Sequence, residues 1–386
     1  MWDELRSDVT KMGGRLIAWR RELHRHPEVA LNEKWTSAYL QEHFKKLGLP
    51  VKKMAGTGLR VMLKGRPGGK TVALRTDIDA LPIQEEGDKP YLSRNAGAAH
   101  ACAHDGHMAV MMAVAELLAR RTGEFKGTVI LLCQPAEEHP PGGAKLMIAA
   151  GALEGVDSIF GLHFWQPLPT GLLGIIKGPM MAQSDNIWLT VKGRGGHGAL
   201  PHNTVDPILA AAELVVNLQS VVSRSVDPLK PAVLTFGAIH GGTANNVIPG
   251  EVKLAGTVRT LEPKVQALMK KRIREVVDGT CAAFGASADL VYEDGYPALV
   301  NDRASVDFVL AVARRALGEE SIVPFEPIMG GEDFARYLQE IPGAFFFLGA
   351  GDGMKYPHHH PAFDIDEKAL PPAVFLMTAL ALEYLK

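Results

Sequence analysis

The chain has 386 residues, 47% apolar and 22% charged, with 40 glycines. That is an ordinary globular composition over more than one typical domain length, so two domains are expected. Lysine plus arginine (41) nearly cancels aspartate plus glutamate (43), which argues against a nucleic-acid-binding surface and against an acidic tail.

In chain order, Leu16, Trp19 and Leu23 recur at helical spacing among Arg and Glu, and Pro27 ends that helix. A second helix is predicted over 34–47. Short runs rich in Val, Ile and Leu follow at 58–63, 71–74, 128–133 and 158–162, interrupted by helical patterns such as 107–120. Continuous apolar strands alternating with helices predict a mostly parallel central sheet with helices on both faces. The pattern changes near Gln183. A strand at 186–192 leads into a helix that Asp206 caps and Pro207 begins, running to about Val222. Strands at 232–239 and 252–258, a helix from Pro263 to Gly285 and a strand at 287–292 complete a β-α-β-β-α-β, ferredoxin-like unit. Longer helical patterns return after Tyr296, with one apolar strand at 344–348. The expected fold is therefore α/β in two domains. Residues 1–182 and 297–386 form a large domain, into which 183–296 are inserted.

The three cysteines, Cys102, Cys133 and Cys281, are scattered, which argues against a disulfide framework and for a reducing cytoplasm. The start, MWDELRSDVTKMGG, lacks the long apolar run of a secretory signal. The longest apolar stretches, 108–119 and 373–382, are too short and interrupted to span a bilayer.

The chemistry-bearing residues gather in short polar segments at predicted strand ends, where ligands bind in open α/β sheets. In HACAHDGH (100–107), Cys102 and His104 stand two apart just before a helix and can share a metal site; a buried cysteine beside a capping histidine is the alternative. In QPAEE, after the strand GTVILLC, Glu137 and Glu138 are adjacent carboxylates. One can ligate a metal while the other acts as general base, or both can sit on an exposed acidic loop. His163 follows SIFGL, and three histidines form HHHP (358–361). Asp79 lies in RTDIDALP (75–82), where it can hold a metal ligand in place or simply serve a turn. Together these supply more ligands than one ion needs and fit a pair of ions with one bridging ligand.

These motifs resemble the metal-dependent aminoacylase and carboxypeptidase family, in its hippurate hydrolase and N-acyl-amino-acid amidohydrolase branch. The resemblance runs through RRELHRHPEVALNE (20–33), ALRTDIDALPIQE (73–85), HACAHDGHMA (100–109), QPAEEHPPGGAKLMI (134–148), GLHFWQPLPTG (161–171), KGRGGHGALPH (192–202), GGTANNVIP (241–249), GTVRT (256–260), MGGEDFARYLQ (329–339) and HHPAFDIDE (359–367). It implies that Cys102 bridges two divalent metals (zinc, manganese, cobalt or nickel), with His104, Glu138, His163 and His359 completing the ligand set. Glu137 is then the general base, and Asp79 orients a ligand. His197 reaches the scissile carbonyl, in its own or a partner subunit's site. Asn246, Arg259 and the backbone of Gly330 and Gly331 hold the substrate carboxylate. The inserted domain becomes a lid and the surface of a homodimer or higher oligomer.

The implied activity is hydrolysis of small N-acyl-L-amino acids to a carboxylic acid and a free amino acid, without nucleic-acid or membrane partners. A carboxypeptidase or dipeptidase of the same family is the nearest alternative, and a non-catalytic metal- or amino-acid-binding protein is another. The H-x-E and P-C-x-x-C pattern of zinc deaminases is absent. Position 103 departs from the branch, with Ala where Gly is common between the Cys and His. If φ is positive there, Ala costs about 1 kcal/mol.

Overall fold

The computed structural model describes residues 2–386. The chain divides into two compact units: residues 1–178, 300–326 and 333–386, and residues 179–299 with 327–332.

The larger unit is built on an eight-stranded sheet. Its strand order is Val51–Met54, Gly58–Lys64, Lys126–Gln134, Arg66–Asp77, Ser158–Trp165, Gly343–Gly349, Leu173–Gly174, Ile322–Val323. The four central strands, from Lys126–Gln134 to Gly343–Gly349, run parallel. The two strands at the Val51–Met54 edge are antiparallel additions. Val129–Cys133 and Ile159–Leu162 are buried throughout, as parallel strands covered on both faces must be. Helix His104–Ala119 is buried at almost every position because it packs against Trp2–His24, Leu370–Tyr384 and the central strands. Among the described residues, no helix is long and apolar enough to cross a membrane.

Several elements differ from the sequence reading, among them the two-residue strands Leu173–Gly174 and Ile322–Val323, too short to carry a pattern. Strand Arg66–Asp77 starts well before residue 71, because the exposed RPGGK segment carries no apolar signal yet still pairs, with a register shift between Arg66 and Thr71. Val51–Met54 also escaped, since VKKM hardly alternates. It is formed by a turn in which Ala55 and Gly56 adopt φ of 50° and 81°, pairing the strand with Gly58–Lys64.

A buried ion network ties the N-terminal helix Trp2–His24 to the helix that carries His104. Arg20 is fully buried, and its guanidinium donates to Asp105 (2.7 Å), Asp364 (2.5 Å) and Glu367 (3.3 Å). His24 bridges Asp105 and Glu85, at 2.7 Å to each. Burial pushes the Glu85 carboxyl up, but His24, Lys89 and the Ser93 N–H outweigh it and hold it at about 2, below its ordinary 4.5. A carboxyl lowered on folding contributes stability that is present above its unfolded pKa and lost as pH falls toward the folded one. The protein should therefore lose stability as pH drops from about 4.5 to about 2. Glu85→Gln should flatten that part of the curve, as read from urea midpoints across the window; an unchanged slope would place the acid sensitivity elsewhere.

The smaller unit has an antiparallel four-stranded sheet in the order Ala232–Gly241, Glu251–Thr260, Gln183–Lys192, Ser287–Tyr296. Helices Pro207–Ser220 and Pro263–Ala283 cover one face. Numbered along the chain, the strand order is 2-3-1-4. Alternation along Gln183–Lys192 turns Ile187, Leu189 and Val191 into a core with Leu214, Leu218, Met269, Ile273 and Val277. Asp206 caps the first helix by accepting from the Ile208 and Leu209 N–H groups, and Pro207 occupies its first turn. Past Ser220 the chain continues as a π turn, Val221–Ser225.

The boundaries of this unit correct the sequence division at 183–296. It begins at Pro179, ends at Leu299 and takes in Pro327–Glu332. The reason is backbone pairing: the Ile328 N–H donates to Met180 O (3.0 Å) and the Ala182 N–H to Gly330 O (2.9 Å). The two glycines at 330 and 331 therefore belong with the inserted segment rather than with 297–386.

Candidate active site

In the larger unit, Cys102, His104, Glu137, Glu138, His163 and His359 converge. One ligand atom from each of Cys102, His104 and His163 lies within 4.8 Å of the others, and the same holds for Cys102, Glu138 and His359, and for His104, Glu137 and Glu138. Cys102 is common to the first two groups. The parallel strands explain the convergence. Glu137 and Glu138 follow the end of Lys126–Gln134, His163 is near the end of Ser158–Trp165, and His104 opens its helix beside the end of Arg66–Asp77.

The imidazoles are oriented by their outer nitrogens. His104 Nδ1–H donates to Asp79 O (2.9 Å) and His163 Nδ1–H to Phe164 O (2.6 Å). Each ring therefore turns its Nε2 lone pair inward, which is how a metal-ligating histidine is usually fixed. His163 Nε2 lies 3.4 Å from Cys102 Sγ. His104 Nε2 is fully buried without a hydrogen-bond partner and lies 3.9 Å from the buried Glu138 Oε1, whose nearest partner is His359 Nε2 at 3.3 Å. An orphaned buried nitrogen facing a carboxylate oxygen is costly in a folded protein unless something sits between them. A divalent cation fits that place, and the S, N and O donors suit a transition metal.

Electrostatics point the same way. Burial opposes the charged form of His104, yet Asp77, Asp79 and Glu138 overcome it and push the ring up to about 10. Burial and the carboxylates Glu138 and Glu137 raise the Cys102 thiol well above its ordinary range. Burial likewise keeps His163 neutral. The pocket is thus short of positive charge, and a bound cation supplies it and inverts the thiol's preference.

The three consecutive histidines separate cleanly. His359 Nε2 lies 3.3 Å from Glu138 Oε1. His358 faces Cys102 Sγ at 3.8 Å, and His360 stacks on Tyr356 and accepts from the Ala362 N–H.

Several supporting residues went unassigned in the sequence. Glu33 is buried and accepts from the Ala136 N–H (3.0 Å), the Leu31 N–H and the Thr57 hydroxyl. Asp79, through Oδ2, accepts from the Glu138 N–H (3.0 Å). The backbone on either side of Glu137 is thereby pinned by two carboxylates. Asp77 accepts from His107 Nδ1–H (2.7 Å) and from Arg75 (2.8 Å), and His107 Nε2 takes the Phe164 N–H (2.9 Å). Arg75 continues to Asp333 (3.1 Å), which also receives the Ala144 N–H. His107 was visible in HDGH, three residues after His104 and so on the same helix face.

Three non-glycine residues at this cluster have left-handed backbones: Ala103 (φ 68°), Ala136 (φ 52°) and His359 (φ 66°). His359 belongs to the cluster with Cys102 and Glu138, and Ala103 and Ala136 directly precede His104 and Glu137. The condition attached to Ala103 is met. Its backbone has positive φ, so the strain that glycine avoids is present.

In the smaller unit the remaining residues form two pairs. His197 pairs across a short ladder with Val247, next to Asn246, whose carbonyl accepts the Gly198 N–H (2.8 Å). His197 Nδ1 accepts the Ala199 N–H (3.1 Å), so its neutral ring carries the proton on Nε2. Arg259 meets Gly331. A Cβ at 331 would fall 2.9 Å from Ser184 Oγ and 3.4 Å from the Arg259 guanidinium, which explains the glycine. Gly330 is not crowded in this way. Buried Asp185, also unassigned in the sequence, lies near Arg259 and accepts from Tyr292, Gln266 and the Gly295 N–H.

The chain is similar to known proteins over almost its whole length. The chain is 39% identical over 379 residues to the N-acyl-L-amino acid amidohydrolase of Geobacillus stearothermophilus, covering 97% of each chain. It is 37% identical over 389 residues to thermostable carboxypeptidase 2 of Saccharolobus solfataricus, covering 99% of this chain and 98% of the relative. The crystal structure of the Bacillus subtilis YXEP protein, described as a dinuclear metal binding peptidase, superposes with a TM-score of 0.85 at 36% identity, over 97% of this chain and 99% of that one. The family described as Peptidase family M20/M25/M40 matches residues 73–383, and the chain belongs to it.

Proposed function

We propose that the protein is a metal-dependent amidohydrolase that cleaves N-acyl-L-amino acids, N-acetyl, N-benzoyl or similar, to a carboxylic acid and a free amino acid. The observation that carries the reading is the orphaned buried His104 Nε2 facing Glu138 Oε1, among Cys102, His163 and His359 with Glu137 alongside. Those five residues would hold two divalent cations, with Cys102 shared. When bound, the cations polarise the amide carbonyl and make water acidic enough to attack near neutral pH.

The chain's own residues do the rest. Glu137 takes the proton from the attacking water and hands it to the leaving nitrogen. Asp79 fixes the tautomer of His104 through its carbonyl and steadies Glu138 through its carboxylate. His197, protonated on Nε2, suits donation to the carbonyl oxygen as negative charge develops there. Arg259, Asn246 and the Gly330–Gly331 backbone suit the substrate carboxylate. A second copy of the chain is the expected partner of the smaller unit. Ile208, Leu209 and Val216 are exposed along one side of helix Pro207–Ser220, an apolar row of the kind that marks an interface.

A carboxypeptidase reading is favoured by the name of the Saccharolobus relative. The two separate on a panel of N-acetyl and N-benzoyl amino acids and unblocked dipeptides. Assays are run after chelation and again after zinc, manganese, cobalt or nickel is returned. Chelation should abolish hydrolysis and one metal should restore it on the N-acyl substrates. Faster turnover of dipeptides would select the carboxypeptidase reading, and activity that survives complete metal removal would sink both.

A further inference from the structure

His358 is the one histidine of HHHP whose two nitrogens are both committed without serving as an inward lone pair. Its Nε2 accepts the Gln166 N–H at 3.1 Å, so that nitrogen carries a lone pair and the proton sits on Nδ1. Nδ1 faces Cys102 Sγ at 3.8 Å, a reach open to a sulfur acceptor. The ring cannot turn away. It stacks on Trp165 (centroids 4.9 Å apart, planes at 20°) and leans on Phe363 at 4.7 Å. Trp165 is in turn backed by Phe347 at 4.5 Å. A flipped ring would exchange Nε2 for Cε1 and Nδ1 for Cδ2, setting C–H groups against the Gln166 N–H and the Cys102 sulfur and losing both contacts.

His163 approaches the same sulfur differently. Its Nδ1 is spent on Phe164 O, so it presents a bare Nε2 at 3.4 Å. Two imidazoles thus flank one sulfur with opposite polarity: one offers an electron pair, the other a proton.

We propose that His358 is a positioning residue that donates an Nδ1–H···S hydrogen bond to the Cys102 thiolate and sets how strongly that sulfur donates to the metals. The inference rests on the reading of Cys102 as a shared ligand. A hydrogen bond to a ligating thiolate stabilises its lone pairs, weakens donation to the metal and leaves the ligand count unchanged. With no carboxylate at this position, the donor shares out the negative charge of a sulfur that is fully ionised when metal is bound.

The test uses the full chain loaded with cobalt(II) alone, whose sulfur-to-cobalt absorption reports the energy of the thiolate electrons. His358→Phe keeps a flat ring against Trp165 but has no N–H. It should retain the wild-type cobalt stoichiometry and shift the sulfur band to lower energy. His358→Asn places an amide N–H near the old Nδ1 and should move the band back toward the wild-type position. Loss of one cobalt in His358→Phe would make His358 a ligand and overturn the proposal, as would an unmoved band at full stoichiometry. If the variants fold poorly, the wild-type protein decides. Nitrogen-15 NMR of its histidine rings should show His358 as the Nδ1–H tautomer, and an Nε2–H tautomer would overturn the proposal. Absence of any sulfur band in the wild type would instead remove Cys102 from the ligand set, and the inference with it.

Discussion

Glu137→Gln should lower kcat by about 10²–10⁴-fold, the usual contribution of a positioned general base, while the protein keeps its full complement of metal. Glutamine matches glutamate in shape but cannot accept the water proton. The substitution should not disturb the cluster, because the flanking backbone is held independently: Ala136 N–H by Glu33 and Glu138 N–H by Asp79. Glu138, not Glu137, belongs to the group with Cys102 and His359. Single-turnover assays on an N-acyl amino acid, with metal content measured on the same sample, separate the two roles. Near-normal turnover would move the base elsewhere, and loss of metal would make Glu137 a ligand.

The largest stability effect is expected at Arg20, which bonds Asp105 beside His104. Arg20→Ala removes a fully buried guanidinium and leaves Asp105 buried beside His24 alone; Asp364 also loses its closest cation, while Glu367 keeps Arg21. Breaking a buried ion network from one side typically costs about 3–5 kcal/mol. Burial pushes the Asp105 carboxyl up, but Arg20 and His24 outweigh it and hold it well below the ordinary 3.8. A carboxyl depressed in this way contributes stability above its unfolded pKa and loses it as pH falls toward the folded value. The gap between wild type and variant should therefore be widest near neutral pH and narrow in strong acid. Urea unfolding at several pH values checks both the size and the trend. A cost below about 1 kcal/mol, the level of a surface pair, would mean that water reaches Asp105 once the arginine is gone.

Much of the large sheet and of the candidate metal cluster is legible in the sequence. Buried parallel strands announce themselves as unbroken apolar runs, and the polar residues just beyond them have few other uses. Cys102, His104, Glu138 and His163 each lie within a few residues of a strand end or a helix start, whereas the choice of His359 among three consecutive histidines rests on the family resemblance. The supporting layer was not. Glu33 bonds Ala136, Arg75 bonds Asp333 and His358 faces Cys102 only because the fold brings distant segments together. No local periodicity encodes such pairs. The strand Val51–Met54 was missed because its turn, not its composition, makes it. The unit boundary shifted for a related reason: Pro327–Glu332 is claimed by backbone hydrogen bonds to residues 180 and 182 that have no side-chain signature.

The left-handed backbones at Ala103, Ala136 and His359 have a consequence for how this sequence can drift. Each such residue costs about 1–3 kcal/mol, and a β-branched side chain at the same φ is a genuine outlier. Neutral variation at 103 and 136 is thereby confined to a very short alphabet, glycine, alanine and at most asparagine or aspartate, even though neither position is assigned a contact with substrate. Ala103 and Ala136 fall within that alphabet, and a β-branched or bulky side chain there would disturb the placement of His104 or Glu137. Natural variants of this lineage should accordingly record the catalytic centre as much in two small, chemically silent residues as in the ligands themselves.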